Sequence, residues 1–266
     1  MARSKPRQQL TRFWQDDIGL GILLAFIATN IFVLGPLRDI GFLGHFSLGI
    51  AFSLILLSGI AATAQSRGVA IFFGIVALLT QIVHWVSWAD PTHWLEFPDA
   101  VASLVATALL TGIIITQVFR EGPVTIGRIN GAITVYLLVG LIFDFAYTAV
   151  RLQIPNAFAM TTPLPDDAAA TSSFLYFSLS TLTTVGYGDI VAVNPLARSL
   201  ANLEALIGQM FPAVLLARLV SMELYYRQRS FEREQAELDR RAIAREIAKM
   251  LKDDPGPDDS APRGRG

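Results

Sequence analysis

The sequence contains no cysteine, so disulfides, thiolate metal sites and a cysteine nucleophile are all excluded, and cysteine usage gives no reading of redox compartment. Charge is also scarce. Asp, Glu, Lys and Arg make up 16% of the 266 residues, against about 25% in soluble domains. The net charge of −1 gives no field of the kind that nucleic acid requires, so no nucleic-acid partner is expected. His45, His84 and His93 are scattered without a metal-ligand spacing, and they read as structural. No nucleophile–base pair, phosphate loop or EF-hand pattern is found, so neither an enzyme nor a cofactor is expected.

What the chain does have is apolar residues, 53% of the total, and a mean hydropathy of +0.48. These values point to a polytopic membrane protein. A spanning helix needs about 20 apolar residues. The candidates are Ile18–Leu34, Phe42–Ala64, Val69–Trp88, Ala100–Phe119, Ile129–Val150 and Ala197–Tyr225. The first run is too long for a signal-peptide core and lacks a small-residue exit, so it reads as an uncleaved span.

Basic residues collect on one side of the six spans. Arg3, Lys5, Arg7 and Arg12 precede the first span, Arg67 follows the second, and Arg120 and Arg128 follow the fourth. Arg227, Arg229 and Arg233 follow the last. Arg38, Arg151 and Arg198 fall on the opposite side, so the bias is clear without being total. Both termini are therefore expected in the cytoplasm of a multi-pass plasma-membrane protein, or a cell inner-membrane protein if it is bacterial. The loops DPTHWLEFPD and PLPDD are acidic and free of Lys and Arg, and Trp85, Trp88 and Trp94 are placed as outer-interface anchors.

Between the last two spans, Arg151–Leu196 opens as a polar, Pro-rich loop. It continues as SSFLYFSLSTLT, an apolar run too short to span, which suits a re-entrant helix with Thr171 or Ser172 as its cap. TLTTVGYGDIVAVNP follows. Glycine disfavours helix, and non-helical backbone at membrane depth survives only where protein buries it or it lines a watery cavity. Gly186 and Gly188 can take positive φ, which turns successive carbonyls of Thr184, Val185, Gly186, Tyr187 and Gly188 the same way. Rings of such carbonyls can replace an ion's hydration shell. The carbonyl end of the re-entrant helix adds a partial negative charge that favours a cation.

TTVGYGD resembles the potassium channel superfamily signature, and a TVGYG loop is the standing example of a carbonyl filter. Ile129–Tyr225 as a whole resembles that superfamily's outer-helix, pore-helix, filter and inner-helix module. The resemblance implies K+ at Thr184, Val185, Gly186 and Tyr187; Asp189, Ser180, Tyr176, Asp144 and Glu204 are the candidate filter supports, although some members of that superfamily place a Glu where Ser180 stands here, so the backing network differs. One motif per chain implies a homotetramer embedded in lipid. The expected function is passive, potassium-selective conduction. The alternatives are a non-conducting or regulatory subunit and a weakly selective cation channel. A transporter with folded-back pore loops is disfavoured, because it would carry four degenerate loops in one chain.

The expected fold is an all-α polytopic membrane protein with six transmembrane helices and a re-entrant pore helix and filter between spans five and six. Residues 1–17 form a cytoplasmic N-terminus, 18–120 a four-helix membrane domain, 121–226 the pore domain, and 227–266 a cytoplasmic helix and tail. The fourth span has no basic residue, so steep voltage gating by that route is excluded. Gly208 and Pro212 suggest a gating hinge, or close packing of small residues. Asp144 and Glu204 either bond Tyr176, Ser178 or Ser180 behind the filter or are locally satisfied carboxylates. A cavity face runs through Ala205, Gly208 or Gln209, Pro212, Leu216, and Leu219 or Val220. After Tyr226, a weak seven-residue stripe of Ala236, Ile243 and Met250, with Ile247, leaves an oligomer bundle and a solvated helix both open. The DDPGPDDSAPRGRG end has a disordered composition.

Overall fold

The computed structural model describes residues 19–39, 46–62, 67–89, 94–120, 125–161 and 167–253. The basic N-terminal residues, His45, His93, most of the two acidic loops and the C-terminal tail lie outside the described residues.

Seven helices and two short strands are described. Helix α1 covers 19–39 with a π-helical turn at Asn30–Leu34. It is followed by α2 (Phe46–Ala62), α3 (Arg67–Ala89), α4 (Glu96–Val118), α5 (Ile126–Gln153), β1 (Phe158–Met160), α6 (Asp167–Leu182), β2 (Ile190–Ala192) and α7 (Pro195–Asp253). By length and composition, five of these are long and apolar enough to cross a membrane: α1, α3, α4, α5 and the first part of α7. The α2 helix is apolar but has only 17 described residues. Each expected span overlaps a helix, and the last helix continues to Asp253, well past the expected end at Tyr225. Many large side chains on these helices face outward, among them Ile71, Leu78 and Val105. Lipid rather than a second protein layer suits such a surface.

The chain divides into two units, 1–218 and 219–266. The second contains the rest of α7, where Leu224, Phe231, Leu238, Ile243 and Ile247 are all exposed.

Two apolar clusters hold the first unit together. One runs through α1 to α5 and includes Leu23, Ile27, Leu56, Phe73, Leu110, Ile114 and Leu138. The other joins α5, the β1–β2 pair, α6 and the start of α7 through Phe143, Tyr147, Phe174, Phe177, Ile190 and Ala197. Tyr147 meets Phe177 edge-on with ring centroids 5.0 Å apart. At its start, α5 is capped by Thr125, whose side chain accepts from the Arg128 N–H. Gly140 lets α6 lie close against α5, since a Cβ there would stand 3.0 Å from Leu179 Cδ2.

Two expectations are corrected. The re-entrant helix starts at Asp167, not at a cap on Thr171 or Ser172, so both residues lie inside it. The stretch read as loop contains β1, which pairs antiparallel with β2 in the register Phe158↔Ala192 and Met160↔Ile190. This pair ties the two ends of the re-entrant segment together on either side of α6 and the glycine stretch.

Candidate functional site

The site begins where α6 stops. Thr184 N–H donates to the Thr181 carbonyl at 2.9 Å, and Val185 N–H donates to the Ser180 carbonyl at 2.9 Å. This pair of bonds is a Schellman ending, which requires a left-handed residue just past the helix and normally uses glycine. Here that residue is Thr184, at φ +58°. A β-branched residue in this conformation is strained. Gly186 (φ +58°) and Gly188 (φ +82°) are also left-handed, as the glycine spacing predicts. Left-handed and ordinary residues therefore alternate from Thr184 to Gly188. In the single chain this stretch is exposed, with Val185 55% and Tyr187 70% accessible.

The inner helix α7 holds the lower end of this stretch. Gly208 is buried against α6, and a Cβ there would stand 1.8 Å from the Leu182 carbonyl oxygen. The same carbonyl accepts from Tyr136 Oη at 3.2 Å, so α5 and α7 both reach the end of the re-entrant helix. Next to Gly208, Gln209 Nε2 donates to Thr184 Oγ1 at 2.9 Å. Gln209, Pro212, Leu216 and Val220 are exposed on α7, Ala205 and Leu219 are half-buried, and Gly208 is buried. Of the alternatives left open by the sequence, Gln209 and Val220 are the more exposed in the single chain.

Behind the glycine stretch, Tyr176 stacks on Tyr187 with centroids 5.9 Å apart and planes 13° from parallel. The Tyr176 hydroxyl also lies beside the Asp189 carboxylate. Asp189 is held through its backbone too, since its carbonyl accepts from Thr161 N–H at 2.9 Å. Ser180 Oγ accepts from Tyr187 N–H at 3.4 Å. Deeper in, Glu204 is fully buried. It accepts from Tyr147 Oη at 2.5 Å on Oε2 and bonds Ser178 Oγ through Oε1. Ser178 Oγ also lies 2.7 Å from the Gly140 carbonyl. Of the partners expected for the two acids, Glu204 takes Ser178. Asp144 is buried, and its Oδ1 has no hydrogen-bond partner.

Tyr147 was missed in the sequence as part of this network. The available signal was the spacing of Gly140, Asp144 and Tyr147, which places all three on one face of α5. The pairing of His84 was missed as well. Its Nδ1 lies 3.0 Å from Asp99 Oδ2, joining α3 to α4. Asp99 also takes Ser103 Oγ at 3.5 Å. Among the described residues, no group of three or more His, Asp or Glu side chains is placed to hold a metal ion.

In this arrangement the carbonyl end of a short helix delivers an exposed left-handed and extended strand against a long helix. Such a strand can present backbone oxygens to a cation along an open face.

Residues 131–224 match a family model described as an ion channel. A potassium channel of Paramagnetospirillum magnetotacticum, the inward rectifier Kirbac3.1, is 37% identical over 92 residues, which is 35% of this chain and 27% of that protein. The LctB protein of Bacillus caldotenax is 36% identical over 85 residues, 30% of this chain and 62% of that protein. Its counterpart in Geobacillus stearothermophilus is 38% identical over 85 residues, with the same shares. The chain thus spans about a quarter of the first relative's length and about three fifths of the other two. The matched stretch covers most of α5, α6, the glycine strand and the first half of α7, and over it the chain is similar to ion channels, a potassium channel among them.

Proposed function

We propose that four copies of this chain form a potassium-selective pore, with one Thr184–Gly188 strand from each copy facing the shared axis. The observation that carries this reading is the alternation of left-handed Thr184, Gly186 and Gly188 on a strand that its own chain leaves exposed. Such a backbone is costly for an isolated surface loop, whereas four of them around an axis make stacked oxygen rings for a dehydrated cation. Exposed Leu203, Leu206, Met210 and Val214 on α7 supply apolar surface for neighbouring copies.

Conduction is passive, and membrane lipid surrounds the assembly with both termini in the cytoplasm. The α4 helix contains no Lys or Arg, and its buried polar residues are Ser103, Thr107 and Thr111. Steep voltage dependence by that route is therefore not part of the reading. Gln209, Pro212 and Leu216 line a cavity below the filter.

Purified protein in liposomes tests the whole proposal. Rubidium and potassium are expected to enter far faster than sodium, and barium to block. Equal sodium and potassium fluxes overturn selectivity, and a tight tetramer with no flux leaves a non-conducting subunit instead.

A further inference from the structure

Three short contacts meet at Ser178 and Glu204, and they set a problem in proton counting. Ser178 Oγ touches the Gly140 carbonyl at 2.7 Å and also touches Glu204 Oε1. Tyr147 Oη touches Glu204 Oε2 at 2.5 Å. A hydroxyl carries one proton, and a carbonyl or ionised carboxylate carries none. Three contacts therefore share only two hydroxyl protons. Tyr147 has one use for its proton, the bond to Oε2. Ser178 faces two acceptors and can satisfy only one of them. If it donates to Glu204, its contact with the Gly140 carbonyl is left as two oxygens at 2.7 Å with no proton between them. If it donates to Gly140, the contact with Glu204 needs a proton from the glutamate side.

Only a proton on Glu204 Oε1 satisfies all three contacts. Glu204 then donates to Ser178, Ser178 donates to the Gly140 carbonyl, and Tyr147 donates to Oε2. Glu204, Ser178 and Tyr147 are each 0% exposed, so water is not available to replace a missing donor. The two side chains that Glu204 bonds here are hydroxyls, which carry no charge to balance a carboxylate. An unbalanced carboxylate in such a place is costly.

We propose that Glu204 is a positioning residue for the filter, carrying the third proton and donating from Oε1 to Ser178, so that one chain of hydrogen bonds ties α7, α6 and α5 together. The chain runs from the inner helix (Glu204) through the re-entrant helix (Ser178) to the outer helix (Gly140), with Tyr147 as a second tie to the outer helix. It sits one turn of α7 above Gly208, the point where α7 presses on the end of α6. Ser178 is also two residues before Ser180, whose carbonyl and hydroxyl receive Val185, Gly186 and Tyr187 N–H groups. Release of Ser178 thus loosens the residues that set the strand's direction. Glu204 does not touch the strand and acts through α6.

This inference rests on the reading of Thr184–Gly188 as the filter, and its test separates the two. Full-length protein is compared with Glu204→Gln, Glu204→Ala, Ser178→Ala and Asp144→Asn variants in liposomes. Glutamine keeps a donor and an acceptor at the two oxygen positions, so E204Q is expected to retain the rubidium-over-sodium flux ratio within about twofold. E204A and S178A each strand a buried partner and loosen α6, and each is expected to lose about tenfold in that ratio.

Infrared spectra of the same samples supply a second readout that does not depend on flux. A carboxylic-acid C=O band present in the parent should vanish in E204Q and survive in D144N. An E204Q spectrum that loses a carboxylate band instead overturns the proposal, as does an E204Q flux ratio as poor as that of E204A. If E204A fails to assemble, S178A and the infrared comparison decide the matter. If the parent protein does not conduct at all, the functional reading fails while the infrared band still tests Glu204.

Discussion

Gln209 on α7 hands its amide proton to the hydroxyl of Thr184 across 2.9 Å, at the point where the re-entrant helix gives way to the glycine strand. The two residues are 25 apart in sequence and are brought together because Gly208, the neighbour of Gln209, admits the end of α6. Gln209 is exposed in the single chain, and in the proposed tetramer the same amide would face the enclosed space.

That geometry gives a labelling prediction. Cysteine at 209 or 216 is expected to react with a small charged thiol reagent added from the cytoplasmic side, and rubidium flux should then fall within seconds. Cysteine at 215 or 219, on the half-buried side of α7, should react far more slowly. The absence of native cysteine gives a clean background. Fast reaction at 215 with protection at 209 would mean that the open face of α7 has been assigned to the wrong side.

Gly208 gives a second test, which separates a hinge from a packing glycine. A methyl group at this position collides with the Leu182 backbone at 1.8 Å, and backbone has no rotamer by which to yield. Overpacking of this kind costs about 1–3 kcal/mol and sometimes more. Gly208→Ala should therefore lower the melting temperature of the detergent-solubilised tetramer by several degrees or prevent assembly. A hinge role alone predicts that G208A assembles with unchanged melting and opens more slowly. Pro212→Ala, on the exposed side, should restore a helix hydrogen bond and leave melting unchanged or raised.

The His84–Asp99 contact between α3 and α4 is expected to matter for stability and not for selectivity. His84 Nδ1 meets both oxygens of Asp99, at 3.2 and 3.0 Å, and both side chains are partly accessible. Asp99→Asn or His84→Phe should cost about 1 kcal/mol, in the range for a partly exposed pair. The rubidium-over-sodium ratio should stay at the parent value. A collapse of selectivity in D99N would show that α3 and α4 act on the filter directly.

The parts of this architecture that were legible in the sequence are those with a local cause. Apolar runs mark helices wherever they occur, so each expected span overlaps a helix. Gly186 and Gly188 announce positive φ because other residues avoid it, and both adopt it. The β1–β2 pair was not legible, because Phe158–Met160 and Ile190–Ala192 are three residues each and owe their pairing to α6 folding back between them. Neither was the His84–Asp99 bond, since only the packing of α3 on α4 brings residues 15 apart face to face. Asp167 opens a helix in a stretch whose Pro-rich composition reads as loop, and the alanines at 168–170 that follow favour helix locally. Thr184 is the clearest case. Nothing about a β-branched residue suggests a left-handed conformation, and only the Schellman ending of α6 demands it.

That last residue also yields the sharpest trade of stability against function. Thr184 stands where glycine is normally found, and a non-glycine residue in this conformation costs about 1–3 kcal/mol. Its hydroxyl accepts from Gln209 and is placed to form the innermost oxygen ring of the proposed pore. Glycine at 184 removes the strain and the hydroxyl together. Serine keeps the hydroxyl without the β-branch. Thr184→Gly should therefore raise the melting temperature of the tetramer or leave it unchanged, while barium block weakens by about tenfold, the equivalent of one lost ligand interaction of about 1.4 kcal/mol. Thr184→Ser should keep barium block within about twofold, a difference of less than 0.5 kcal/mol. If T184G binds barium as tightly as the parent, the hydroxyl is not an ion ligand. Its strain would then need another cause, and the bond to Gln209 would be the first place to look, by making Gln209→Leu and measuring melting alone.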